Sequence, residues 1–254
     1  MKIILSPAKK QKPADEVYRM DRACLIPPLT EPLFWEKSRI LTTYLAALSP
    51  AELATAMRIN DELAMQTYIQ YQQIDAGQAV KTPALWSYVG LAYQNLKADQ
   101  LSAAALTYAC RQVRILDALY GVLRPTDGIY PYRLDMLAKI KPNGQNLYRF
   151  WQDDWAKVLM EGETILINLA SNEFSKAVIP YLPASVRVVQ VEFKTFRKGK
   201  PVVPTTLAKM ARGAMVRFLC ERQATSIDEM REFSEFDLRF RADLSETDRL
   251  VFVQ

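Results

Sequence analysis

The sequence predicts a mixed α/β domain spanning residues 1–254, with helices packed around a central sheet. Three observations lead there. Short apolar runs at Lys2–Leu5 and Glu163–Leu169 read as buried strands. Between them lie stretches with apolar residues at helical spacing. No repeat, low-complexity segment or long linker divides the chain, and 254 residues suit one large domain.

Lys2–Leu5 is the first strand, and Ser6-Pro7-Ala8-Lys9-Lys10 is the loop at its end. Ligands of α/β sheets sit just past strand ends. Ser6 and Lys9 are therefore candidates, Lys9 as a phosphate or carboxylate partner. With Pro13, Pro27 and Pro28, the chain reads as irregular from Gln11 to Thr30. Glu31–Leu48 carries Leu33, Phe34, Ile40, Leu41, Tyr44, Leu45 and Leu48 at helical spacing. Ser49-Pro50-Ala51-Glu52 reads as a capping box with Pro at the first helical position, opening a helix to Met57. Asn60-Asp61 opens another, to Gln73.

Ala84–Val89 is expected as a strand ended by Gly90, with a short helix over Leu91–Leu96. Asp99 caps the helix that follows. Val113–Leu119 fits helix and strand alike; as helix, Arg111 and Arg114 share a face. Gln145–Met160 reads as one aromatic helix, its Phe150, Trp151 and Trp155 forming core rather than a base-stacking platform. Beyond the Glu163–Leu169 strand, Asn168, Ser171 and Glu173 give a second polar strand-end loop. One cleft lined by Ser6, Lys9, Asn168, Ser171 and Glu173 follows; helix capping by Ser171 or Asn172 is the alternative. Val186–Phe196 alternates, turns through Arg197-Lys198-Gly199-Lys200 and returns over Pro201–Pro204, a hairpin with a basic tip. Thr205 or Thr206 caps the next helix. Its apolar face is Leu207, Met210, Ala211, Ala214 and Phe218; Lys209 and Arg212 project elsewhere, with Arg217 at the edge. Gly213 lies mid-helix at a cost of about 1 kcal/mol, which implies close approach by another element or a phosphate. Short strands, including Leu250–Val253, complete the chain.

Composition removes whole classes of chemistry. With no histidine there is no Ser-His-Asp triad, Cys-His dyad, HExxH site or His-ligated haem. Cys24, Cys110 and Cys220 are far apart and form no CxxC pair, which argues against a zinc site or disulfide framework. Reduced thiols are expected, Cys110 and Cys220 buried in helices. No metal or other cofactor is expected. No apolar run approaches the roughly 20 residues of a membrane span, and the apolar start is too short for a signal peptide. A cytoplasmic protein with no membrane partner is the expectation. The net charge of +5 is uneven. From Arg187 to Arg217 the bases are Arg187, Lys194, Arg197, Lys198, Lys200, Lys209, Arg212 and Arg217, opposed by Glu192 alone. That is either a face for a polyanion or a solvated surface.

The densest motif is RQVRILDALYGVLRPTDGIYPYRLDM, Arg111 to Met136. Gly121 permits positive φ and close backbone approach, and Pro125 fixes the turn after Arg124. A phosphate-binding hairpin and a plain helix end followed by a loop both fit. Leu119 to Met136 resembles the signature of the YaaA family of peroxide-stress resistance proteins. Three further blocks agree: Leu5-Ser6-Pro7-Ala8-Lys9; Ile167-Asn168-Leu169-Ala170-Ser171-Asn172-Glu173; and Ala208-Lys209-Met210-Ala211-Arg212-Gly213 with Arg217-Phe218. The resemblance implies an α/β domain of unusual fold, a positively charged cleft, a helix-hairpin-helix-like DNA-binding element and a role in limiting oxidative damage. Two positions depart from the pattern. Asp135 stands where the family usually has Glu, and Phe236 follows Phe233-Ser234-Glu235 where a Gly-Tyr pair is usual.

Two functions compete. In the first, the protein binds duplex or branched DNA without strong sequence preference, through Gly121, Lys9, Arg124, Arg133, Lys209, Arg212 and Arg217. In the second, the same cleft is an enzyme site for a phosphorylated or nucleotide-like small molecule. Lys9, Arg124 and Arg212 would hold the anion, with Asp127, Asp135, Glu173 or Tyr132 as acid or base. Ser6, Asn168 and Ser171 suit the second better, because a phosphate backbone does not need them. An enclosed pocket with a carboxylate of raised pKa favours the enzyme; an open groove as wide as a duplex favours DNA.

Overall fold

The computed structural model describes residues 1–19 and 26–254, so Cys24 lies outside the described residues. The first strand, β1 (Lys2–Leu5), is buried along its whole length, and β2 (Lys10–Gln11) follows. A short helix, α1 (Ala14–Tyr18), occupies part of the stretch read as irregular. Three scaffold helices come next: α2 (Trp35–Ala46), α3 (Pro50–Met57) and α4 (Asp61–Asp75). The capping box before α3 forms as the sequence predicts. The Ser49 hydroxyl accepts the Glu52 N–H, and the Glu52 carboxylate accepts the Ser49 N–H at 2.8 Å. Asn60 caps α4 through the Leu63 N–H at 3.0 Å.

The stretch expected as a strand over Ala84–Val89 is mostly helix. After β3 (Thr82–Pro83) the chain makes one turn, α5 (Ala84–Ser87), and then β4 (Tyr88–Val89). The Ser87 hydroxyl bonds back to the Pro83 carbonyl, and the Ala84 and Leu85 N–H groups go to the carbonyls of Asp127 and Pro125. A short run buried from Ala84 to Tyr88 carries no periodicity that separates the two structures. Then come α6 (Leu91–Leu96) and α7 (Ala103–Gln112). Ser102, not Asp99, caps α7, through the Ala105 N–H. Val113–Leu119 resolves as β5 (Val113–Asp117), every residue buried. Arg111 therefore ends a helix while Arg114 lies in a strand.

The Gly121 turn joins β5 to the antiparallel β6 (Gly121–Leu123), so this turn lies between strands rather than between helices. After β7 (Gly128–Ile129), the aromatic stretch forms two helices, α8 (Leu147–Trp151) and α9 (Asp154–Leu159). They part at Gln152, whose φ of 46° and ψ of −124° no helix accommodates. The chain continues through β8 (Ile165–Asn168), α10 (Asn172–Ser175) and the hairpin of β9 (Arg187–Arg197) and β10 (Lys200–Val202). The hairpin turns on Lys198 and Gly199, both at positive φ, the pattern a two-residue turn requires. Next is α11 (Thr205–Arg222), preceded by Pro204 with no side-chain cap bond from Thr205 or Thr206. Last are β11 (Arg239–Phe240) and β12 (Arg249–Val253).

The principal sheet has the order β11-β12-β9-β8-β1-β5-β6, with β10 on β9. Its centre is parallel: β1 pairs β5 on one side and β8 on the other, and β9 pairs both β8 and β12. From β1 the chain goes on to β5, while from β8 it goes on to β9, in the opposite direction. The crevice beyond the carboxyl ends of β1 and β8 is thus a topological switch point, where ligands of such sheets bind. Helices pack around the sheet, and α11 lies chiefly on α6 and also touches α7 and β9. Gly213 explains the close seating. A Cβ there would lie 1.7 Å from the Ala92 carbonyl oxygen of α6. Of the two readings of Gly213, contact with another element is the one the packing meets. No helix among the described residues is long and apolar enough to cross a membrane.

Candidate functional site

A cleft of about 350 Å³ opens at this switch point. Its floor is the pair of strand-end loops, Leu5–Lys9 after β1 and Leu169–Phe174 after β8. The loops are laced together: the Ser6 hydroxyl accepts the Ser171 N–H at 2.8 Å and donates to the Ser171 hydroxyl at 3.1 Å. One wall is Val89–Tyr93, where the Tyr93 hydroxyl donates to the Ser6 carbonyl. Leu134 and Asp135 form a second wall, and Lys209 and Arg212 of α11 a third. Most of the lining is apolar, with a few convergent polar groups, the usual character of a small-molecule site.

The charges are arranged in two sets. Lys9 Nζ lies 2.9 Å from Asp135 Oδ2. Glu173 accepts the Met136 N–H at 3.0 Å. Burial raises the Glu173 pKa above the ordinary carboxylate value, and the Asp135 charge adds to the rise; Lys9 and the backbone N–H groups of Met136 and Leu137 oppose it. Opposite in sign is Arg212, half-buried at the cleft wall. Burial lowers its pKa below the ordinary guanidinium value. It has no acidic partner among the described residues, and neither has the exposed Lys209. A desolvated guanidinium without a counter-charge costs free energy that an anionic ligand would return. The cleft can hold an anion on one side and exchange a proton at a carboxyl group on the other.

Of the residues selected from sequence, Ser6, Lys9, Asp135, Ser171, Glu173, Lys209 and Arg212 line this cleft. The others lie elsewhere. Arg124 binds the buried Asp127 carboxylate, Nε to Oδ1 at 2.9 Å, and the Glu31 carbonyl. Arg217 is paired with Glu235 at 2.7 Å and bonds the Asn95 carbonyl. Gly121, at φ 79°, is packed against Phe34, Trp151 and Trp155. Arg133 is half-buried, its Nε without a hydrogen-bond partner among the described residues. Tyr132 is buried and donates to Asp117. Asn168 is engaged by the Gln190 side chain and the Ala170 N–H. Of the two thiols within the described residues, Cys220 is buried, Cys110 half-buried, and both are free. Sequence reasoning passed over Gly90, Ala92 and Tyr93 as cleft walls. The available signal was the strand end at Val89-Gly90; in the structure a Cβ at Gly90 would meet Ala8 Cβ at 3.2 Å, so this wall meets the floor there.

A family model described as "Peroxide stress protein YaaA" matches residues 1–244. The chain belongs to the peroxide stress protein YaaA family. Relatives agree over full length. A UPF0246 protein of Lactiplantibacillus plantarum is 38% identical over 254 residues, covering 100% of this chain and 99% of its own. A UPF0246 protein of Desulfitobacterium hafniense is 36% identical over 255 residues, covering 100% and 98%. Blocks that carry the YaaA resemblance in the sequence include the two strand-end loops and the α11 segment, three sides of the cleft.

Proposed function

We propose that this YaaA-family protein takes a small phosphorylated or nucleotide-like molecule into the switch-point cleft and performs acid–base chemistry on it, in the cell's response to peroxide. The observation that carries the reading is Arg212, a desolvated guanidinium on the cleft wall with no carboxylate to neutralise it among the described residues. Arg212 and Lys209 bind the anionic group, Arg212 through the planar fork that suits phosphate. Glu173 is the acid–base group, because burial and Asp135 favour its protonated form and the adjacent Asp135–Lys9 pair can adjust that balance. The small, mostly apolar cleft and the raised Glu173 pKa support this reading over a groove as wide as a duplex. Titration calorimetry with inorganic phosphate and a nucleoside monophosphate tests it. Arg212→Ala is expected to weaken binding about 10- to 100-fold, the worth of one charged hydrogen-bonding group. Equal affinity of variant and parent would remove the assignment.

A second reading is DNA binding, and a different surface supports it. β9 runs beyond the last β8 partner toward the cleft end of the sheet. Its tip carries Arg197, Lys198 and Lys200, all exposed and without acidic partners among the described residues. Exposed unpaired cations on a protruding ribbon suit a phosphate backbone. Mobility shifts on duplex and branched DNA across a salt series are the test. Replacing the three by Glu is expected to lower affinity and to flatten the slope of log affinity against log salt by about 0.9 for each phosphate no longer neutralised. An unchanged slope would exclude the ribbon as a DNA-binding element.

A further inference from the structure

One acid, Asp117, interrupts the apolar run from Ile115 to Leu123, and neither reading above uses it. It is fully buried. Its two oxygens do different work. Oδ1 accepts the N–H groups of Leu119 at 2.8 Å and Tyr120 at 2.9 Å, closing the β5–β6 turn as Asp commonly does. Oδ2 accepts two phenol protons, from Tyr88 at 2.5 Å and from Tyr132, and the two hydroxyls lie 3.3 Å apart. The turn needs only Oδ1. Two phenylalanines in place of the tyrosines, with Asn in place of Asp, would fill the same space without burying a charge.

The surroundings connect this cluster to the cleft. Tyr93 lines the cleft, and its ring centroid is 5.1 Å from that of Tyr88. On the other side the Tyr132 ring is 5.4 Å from Tyr120, whose hydroxyl accepts the Tyr130 N–H. The Tyr130 ring is 6.0 Å from Trp35, and both are only half-buried. The Tyr93 ring at the cleft thus lies in near contact with Tyr88, whose hydroxyl shares Asp117 Oδ2 with Tyr132, and Tyr132 packs edge-on against Tyr120.

We propose that Tyr88, Tyr132 and Asp117 form a redox-active tyrosine centre, which reduces a peroxide-derived radical entering the cleft. The radical gains one electron, passed from the buried phenols by way of Tyr93. The oxidised phenol loses its O–H proton to Asp117 Oδ2. One O–H bond breaks on tyrosine and one forms on the carboxylate, leaving a neutral phenoxyl radical beside a carboxylic acid. The base is essential, because an oxidised phenol is a strong acid and holds its electron far more tightly when no acceptor takes the proton. Burial keeps the phenoxyl away from water and from other radicals. This activity does not depend on Arg212 or on the anion reading.

The test oxidises the full-length protein with hexachloroiridate(IV), a one-electron oxidant, and records electron paramagnetic resonance after freezing at increasing delays. The parent is expected to give a persistent phenoxyl signal, and Arg212→Ala the same signal. The Tyr88→Phe/Tyr132→Phe double variant and Asp117→Asn, which keeps Oδ1, are each expected to lose the persistent component. Exposed Tyr18 and Tyr181 would then contribute only a transient one. An identical signal and decay in the folded double variant overturns the proposal. Should a variant not fold, the parent decides. Its radical must show, by electron–nuclear double resonance, a hydrogen-bonded proton coupling that survives brief transfer into deuterated water. A coupling that is absent or exchanges at once rejects the centre.

Discussion

Gly213→Ala destabilises the protein by about 3 kcal/mol or more, the upper range for forcing atoms into a packed interior. Helix propensity alone gives the opposite sign, a gain of about 1 kcal/mol for Ala over Gly in a helix interior. The packing term wins because the new methyl group would lie 1.7 Å from the Ala92 oxygen and 2.5 Å from its carbonyl carbon. Both are backbone atoms, so no side-chain rotation relieves the clash. Either α11 lifts from α6 or α6 moves into the cleft that Ala92 lines. Urea denaturation measures the loss. A variant as stable as the parent, or more so, would mean that the two helices are not seated as described. Any surviving folded fraction should also bind phosphate less tightly, because Arg212 is the preceding residue on the displaced helix.

Arg124→Ala has the second large effect, again on stability rather than on ligand. Asp127 is completely buried, and Arg124 supplies it with both a backbone N–H and the guanidinium. Truncating the arginine leaves a buried carboxylate with the Thr30 hydroxyl as its remaining side-chain donor. Breaking a buried pair from one side costs about 3–5 kcal/mol. Adding Asp127→Asn to Arg124→Ala is expected to recover part of that loss, because no unpaired charge then remains. Denaturation of the two variants beside the parent checks both statements. Phosphate affinity of the folded Arg124→Ala protein should match the parent, since Arg124 does not line the cleft.

What the sequence made legible follows a pattern. The loops after β1 and β8 stood out because polar residues follow short apolar runs, and both prove to floor the cleft. Gly213 was legible as a close approach because a glycine inside a helix is destabilising unless something requires it. The cations were harder. Arg124 and Arg217 look like Lys209 and Arg212 in a charge count, yet their partners include the Glu31 carbonyl and Glu235, remote or unmarked in sequence. Sequence shows a cation; only the fold shows whether it is already neutralised. Gly121 misled for a related reason. Its positive φ is legible, but the space beside it is filled by Phe34 and two tryptophans instead of a ligand. The break at Gln152 had no Gly or Pro to announce it, and Asp117 passed as one polar letter in an apolar run.

The position of β1 bears on how the protein is made. The earliest strand of the chain sits mid-sheet, and its two neighbours begin at Val113 and Ile165. During synthesis, Lys2–Leu5 emerges long before either flank exists to cover it. Pairings of such sequence separation form slowly and leave apolar edges bare meanwhile. The cleft is later still, since α11 supplies its last wall. A ribosome-bound fragment ending before Thr205 would hold the two floor loops but neither Lys209 nor Arg212, so the proposed anion site is complete only after α11 has been made.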